Sequence, residues 1–248
     1  RSTRMVKLTP IGRELAPTLE RVLHEIDAVM VNSKELASHI KGTVTIGALP
    51  SISTKLIPST IAEFQKQYPG IVVRLRDAMS QHLMRLVKEG EVDFGIGTMR
   101  MPDPEIQFTS LLTDHLGVIF PTGHPVGHRR TITLKYLTAF PLILMDPRSS
   151  VRDLVDRAFE SIGEVVIPAF EALYMSTAVA MVQAGLGLTI QPSSAMELAN
   201  LKGLNFRTIR DQGLTRQIGV IQNARRSLSP SAENFIKMLS AVCKSLKS

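Results

Sequence analysis

The 248-residue chain has no tryptophan and a single cysteine, Cys243. One thiol excludes an internal disulfide, which fits a reducing compartment and so the cytoplasm. No apolar run approaches the ~18–20 residues that a membrane-spanning helix needs. The amino-terminal segment lacks the continuous apolar stretch of a signal peptide. Low-complexity tracts, fixed-period repeats and long Lys/Arg blocks are missing too. So are the common enzyme signatures: there is no G-x-S-x-G elbow, no G-x-x-x-x-G-K-[ST] loop and no H-E-x-x-H helix. "GLGL" supplies two glycines of a dinucleotide fingerprint without the third and precedes a strand, so Gly185 reads better as a helix stop. His124 and His128 are separated by Pro125 and Gly127, which makes a loop, and no third ligand lies near in sequence; no metal is expected. Cys243 shares an apolar face with Phe235, Ile236, Leu239 and Val242, the setting of a buried structural thiol rather than a nucleophile.

What is present is ordinary in bulk. Apolar residues make up 44% and charged residues 21%, as in a globular protein with one large domain or two smaller ones. The net charge of +7 and a pI of about 9.8 favour an anionic partner: nucleic acid, anionic lipid or a small organic acid. A basic, solvated surface accounts for the charge equally well.

The first forty or so positions behave as a separate unit. Thr9 is placed to cap a helix whose first position is Pro10. Apolar residues then recur at Leu15, Leu19, Val22, Ile26, Val29, Leu36 and Ile40, three and four apart, with charged flanks and only Ser33 interrupting. This predicts a helix over 9–42, stopped at Gly42 and well beyond the roughly 11–12 residues of an average one. A narrow apolar seam with charged flanks suits pairing with a second copy of itself; the alternative is a helix packed on its own domain.

Beyond it, strands alternate with helices. "TVTIGAL", "IVVRLRDA", "VDFGIG", "LGVIF", "FPLILM", "AFEALYM", "LGLTIQP", "LNFRTI" and "RQIGVIQN" read as strands. Helices are expected at about Lys55–Tyr68, from Ser80 to Gly90, in "TITLKYLTA", "SSVRDLVDRAFESIG", "STAVAMVQAG" and "SAMELANLKG", and in the closing "SPSAENFIKMLSAVCKSL". The order predicts an α/β fold with largely parallel sheets. Four strand-to-helix junctions are rich in hydroxyls: "LPSIST", "DAMSQ", "MDPRSS" and "YMST". Ligands of α/β sheets bind beyond the carboxyl ends of strands, where helix N-termini offer free N–H groups to anions. Ser51, Ser53, Thr54, Ser149, Ser150, Ser176 and Thr177 are then candidate hydrogen-bonding groups, with Arg148 as a cation. Each hydroxyl also has the plainer reading of a helix cap.

"RSTRMVKLTPIGREL" resembles the end of the winged helix-turn-helix and the start of the linker helix of LysR-type transcriptional regulators. "GTVTIGALPSISTKLIPSTIAEFQKQYPGIVVRLRDA" resembles the first strand–helix–strand of their effector-binding domain, and "LVKEGEVDFGIG", "LGVIFPTGHPV" and "STAVAMVQAGLGLTIQP" resemble later landmarks in the family's order. The resemblance spans essentially the whole chain, although most of the family's DNA-binding domain does not lie within it. It implies two Rossmann-like subdomains of the type 2 periplasmic-binding-protein fold. Residues 1–8 would be a wing remnant, with Arg1, Arg4 and Lys7 meeting DNA phosphates; 9–42 the linker and dimerisation helix; 43–120 with 218–248 subdomain I; and 121–217 subdomain II. Crossover strands would run near "GVIFP" and "RQIGV".

The resemblance also implies a small-molecule effector, and no cofactor, in the interdomain cleft. The matching positions are Ser51, Ile52, Ser53 and Thr54, then Ser80, then Thr98, Met99 and Arg100, and across the cleft Asp146, Arg148, Ser149, Ser150, Met175, Ser176 and Thr177. An organic anion is the expected ligand class. The implied partners are a second copy or three more, promoter DNA through the preceding domain, and RNA polymerase, with no membrane. A stand-alone solute-binding protein of the same fold, or an α/β enzyme acting on an organic acid, are the competing readings.

Overall fold

The structure, a computed structural model, describes residues 9–34, 41–193, 203–211 and 213–245. Helix α1 (Pro10–Lys34) starts where the cap signal places it: Thr9 Oγ1 accepts from the Gly12 N–H at 3.0 Å, and Pro10 occupies a position that needs no N–H. Residues 35–40, between Lys34 and the expected stop at Gly42, lie outside the described residues, and Gly42 itself belongs to a strand. It opens β1 (Gly42–Ala48), paired with Ile71, because the β-branched run Thr43–Ile46 carries it into the sheet. Leu36 and Ile40, with Arg1, Arg4 and Lys7, lie outside the described residues, as do the side chains of Ile26 and Val29.

In the first lobe β1 lies between β2 (Ile71–Asp77) and β3 (Phe94–Gly97), parallel to both. The helix expected at about Lys55–Tyr68 is α3 (Ile57–Gln67), and a further short helix, α2 (Pro50–Lys55), precedes it. A proline in the first turn of each keeps them separate, since proline starts a helix well but cannot continue one. Helix α4 (Ser80–Glu89) buries Leu83, Leu86 and Val87 and ends on Gly90 at φ +70, a conformation that favours glycine. Helix α8 (Pro230–Ser245) brings Phe235 to 5.0 Å from the Phe64 ring, and Cys243 is buried in the same cluster.

Strand β4 (Ile106–Pro121) is much longer than "LGVIF" suggested. Its first half mixes apolar and polar residues and is partly exposed, and a bulge between Ser110 and Leu112 breaks the two-residue alternation, so the periodicity signal fails there. This half pairs antiparallel with β9 (Thr215–Asn223) as far as His115. From Leu116 on, β4 instead lies between β7 (Leu188–Pro192) and β8 (Leu204–Thr208). One strand therefore serves both lobes. Gly117 sits where the neighbours close in: a Cβ there would fall 2.5 Å from the Arg207 carbonyl oxygen.

The second lobe adds β5 (Leu142–Met145) and the short β6 (Phe170–Ala172), giving the order β8-β4-β7-β5-β6. Its helices are α5 (Leu134–Leu137), α6 (Ser150–Ser161) and α7 (Met175–Gln183), with Gly185 at φ +76 just after α7. "AFEALYM" gives only three strand residues because Tyr174 already holds the position before the first turn of α7. Most of "SAMELANLKG" lies outside the described residues. Pairing is parallel around β1 and β5 but antiparallel wherever β4 and β9 take part, so the sheet is mixed at its centre. The reason is that the chain passes into the second lobe on β4 and returns on β9. Buried apolar side chains form two clusters, one from 44–106 and 218–243, the other from 116–214. Among the described residues no helix is long and apolar enough to cross a membrane.

Candidate functional site

Register brings the candidate junctions together. Ala48 pairs with both Asp77 and Ile96, so the turns that follow β1, β2 and β3 emerge on one edge of the first lobe. Ser51 to Thr54, Ser80 and Thr98 to Arg100 all start from that edge. In the second lobe Met145 pairs with Ala172, which sets Asp146 to Ser150 beside Met175 to Thr177.

Two ionic contacts join these edges. The deeper one centres on Arg216 of β9 and Asp114 of β4, opposite each other where the strands pass between the lobes. Arg216 Nη2 lies 2.8 Å from Asp114 Oδ2, and the two side chains are only 5% and 3% exposed. The same Nη2 donates to Ser51 Oγ of α2 at 2.8 Å, and Nη1 reaches Ser150 Oγ of α6 at 3.5 Å. Ser193 Oγ donates to the other Asp114 oxygen at 2.9 Å. One guanidinium thus touches a helix start from each lobe. The outer contact is Arg100 Nη1 to Asp153 Oδ1 at 2.9 Å, from the turn after β3 to α6; Arg157 shares Asp153 at 3.0 Å.

The other candidates divide by what their side chains meet. Ser149 caps α6, accepting from the Val151 N–H at 3.2 Å. Thr54 lies within α2 and donates back to the Pro50 carbonyl. Ser80 is the first residue of α4, not its cap: Met79 holds the cap position and offers no side-chain bond. The hydroxyls of Ser53 and Ser80 are buried and have no hydrogen-bond partner. Such groups cost about 1–3 kcal/mol when left unmade, so both favour a polar ligand group within reach. Ile52 and Met175 are buried, Ser176 and Thr177 exposed, and Thr98 and Met99 half-buried. Arg148 is bound by Asp146 through its Nε, Nη2 and backbone N–H. The Arg148 side-chain hydrogen bond is the main cause holding the Asp146 carboxyl below its ordinary range.

Arg100, Arg148 and Arg216 each face a carboxylate, so these arginines leave the cleft without a bare cation. What it offers an anion is hydroxyls, guanidinium N–H donors and helix starts. Helices α4 and α7 begin without a side-chain cap, so their first N–H groups are available. Among the described residues no cluster of His, Cys, Asp or Glu is arranged to hold a metal; His124 Nδ1 accepts from the Val126 N–H.

Sequence reasoning missed Asp114, Arg216 and Ser193. Asp114 lies in the half of β4 whose alternation is broken, and 102 positions separate it from Arg216. The available signal was an Asp and an Arg each beside an apolar strand run, "DHLGVIF" and "RQIGVI".

The chain matches the family model for the LysR substrate binding domain over residues 37–244. It is 31% identical over 233 residues to the HTH-type transcriptional regulator YfeR of Shigella flexneri, covering 94% of this chain and 75% of that protein. Its fold is similar to the BenM effector binding domain solved with its effector benzoate, at a TM-score of 0.75 and 21% identity over 84% of this chain and 95% of that one. It is also similar to the effector binding domain of QuiR in complex with shikimate, at a TM-score of 0.73 and 19% identity over 83% and 99% of the two chains.

Proposed function

The chain belongs to the LysR family of transcriptional regulators, and from that premise we propose that the cleft between its lobes senses a small organic anion. The observation that carries this reading is Arg216, which bonds Ser51 of one lobe and Ser150 of the other from a buried position between them. A carboxylate seated at the starts of α4 and α7 meets free N–H groups and a favourable helix dipole. The unpartnered hydroxyls of Ser53 and Ser80 lie on the same edge as α4. Benzoate and shikimate, the ligands of the two similar domains, both carry a carboxylate.

A ligand that touches both lobes favours the arrangement in which they are joined, by its differential affinity for that arrangement. Strands β4 and β9 are the connection through which the change passes. Copies paired through α1 then alter the spacing of their DNA-binding domains, which is how occupancy controls transcription. A calorimetric screen of aliphatic and aromatic carboxylates beside neutral analogues tests this. A carboxylate is expected to bind, and Ser51→Ala and Ser150→Ala, each of which removes a bond of Arg216, are expected to weaken it on the order of tenfold. Binding of the neutral analogues alone would overturn the reading.

A further inference from the structure

The second lobe carries another concavity, on the β8 side of β4 and so across β4 and β7 from the strand that leads into α6. It is a pocket of about 300 Å³ lined by Arg130, Thr131 and Ile132 on one wall and by Arg207, Thr208, Ile209 and Arg210 on the other. None of these is a cleft residue. Ile132 and Ile209 are buried and form an apolar base, while the three arginines and two threonines are exposed.

The walls are tied together by the backbone. The Arg210 N–H donates to the Ile132 carbonyl at 3.0 Å, and Arg207 Nη1 donates to the Arg129 carbonyl. Arg207 and Thr208 are held in strand register against Val118 and Gly117 of β4. Arg129, beside the rim, stacks its guanidinium over the Tyr136 ring at 4.6 Å. The arginines of the cleft each face a carboxylate. Arg129, Arg130, Arg207 and Arg210, by contrast, have no ion-pair partner among the described residues. The one described carboxylate in the adjoining turn, Asp211, accepts from the Leu134 N–H.

We propose that this pocket is a second anion site, taking a compact oxyanion with two or more negative charges, of the phosphate or polycarboxylate class. Three arginines lining one pocket, none with an ion-pair partner among the described residues, match such a ligand in sign and multiplicity, and their planar forks suit bidentate contact with its oxygens. Thr131 and Thr208 line the same pocket. The volume is at the small end of ligand sites, which excludes an extended effector. Because the walls are already fixed, little ordering is needed on binding.

Titration calorimetry of the whole chain with inorganic pyrophosphate, and separately with citrate, tests the site. Saturable binding of at least one is expected. It should weaken at least tenfold in the Arg130→Gln/Arg210→Gln double variant, less in the Arg130→Lys/Arg210→Lys variant that keeps charge but loses the fork, and not at all in Ser51→Ala. All these positions except Ser51 are exposed, so thermal melting of the pocket variants should match the parent. The proposal is overturned if neither anion binds saturably, if the Gln variant binds as the parent does, or if Ser51→Ala weakens binding on the order of tenfold or more, which would place the anion in the cleft. Duplex DNA binding that depends on these arginines, without pyrophosphate or citrate binding, would equally overturn it in favour of a nucleic-acid surface.

Discussion

Arg216 and Asp114 are charges held out of water, and each is tolerable only because the other is there. Removing one partner of such a pair leaves an uncompensated buried charge, at about 3–5 kcal/mol. Arg216→Met should therefore lower unfolding free energy in urea by about that much, while Arg216→Met with Asp114→Leu should recover most of the loss. A double variant as unstable as the sum of the singles would show the two groups are uncoupled. Asp93 presents the opposite case. Burial, the largest influence, raises its carboxyl above the ordinary 3.8, although the Thr45 N–H at 2.6 Å and the nearby His24 and Arg226 pull it down. The folded chain thus holds this proton more tightly than the unfolded one. Its contribution is favourable below the unfolded pKa and is lost as pH rises through the folded value. Asp93→Asn keeps an acceptor for Thr45 and cannot ionise. Its stability relative to the parent should improve as pH rises from about 4 and then level off; a difference independent of pH in urea melts would refute this.

At the level of elements, the outer contact between the lobes is set by one turn and one helix. Arg100 is 65% exposed and Asp153 31%, so the bridge is well solvated and worth about 0–1 kcal/mol. Arg100→Gln should leave the melting transition nearly unchanged. The contact exists only while the lobes are together, so its loss should weaken cleft binding by up to about fivefold at low salt and by less at high salt. Affinity unchanged at both salt concentrations would show that the bridge does not bias closure. Elements whose ends carry their own punctuation were legible from sequence: Thr9 and Pro10 open α1, Gly90 closes α4, and Ser149 caps α6. Elements set by distant partners were not. The first half of β4 is a strand because β9 pairs with it, and its own bulged stretch gives no regular alternation to read. The junction positions of the cleft were legible because register gathers the ends of parallel strands. The pair that ties them was not, since pairing across 102 positions leaves no local trace.

For the molecule as a whole, the apolar side chains described in α1 join the core of neither lobe. Leu15, Leu19, Val22 and Leu23 are 50%, 57%, 44% and 59% exposed, and none joins either buried cluster. The helix is held to the first lobe by Arg226 Nη2 and Glu25 Oε1 at 2.7 Å, a bond that also lowers the Glu25 carboxyl. Apolar exposure repeated three and four residues apart along a helix of 25 residues is stable in water only with a partner on that face. Fully burying a leucine or valine is worth about 1.5–3 kcal/mol; Leu15, Leu19 and Val22 are about half exposed, so pairing them across two copies gains about half of that for each and favours association through this face. Leu19→Asp puts a charge into that seam without touching either lobe core. Sedimentation of the purified chain should show self-association weakened more than tenfold, while the unfolding transition of the lobes and effector affinity at the cleft stay as in the parent. Unchanged self-association would mean that copies meet through another surface, and that the apolar face of α1 is covered by something other than a second α1.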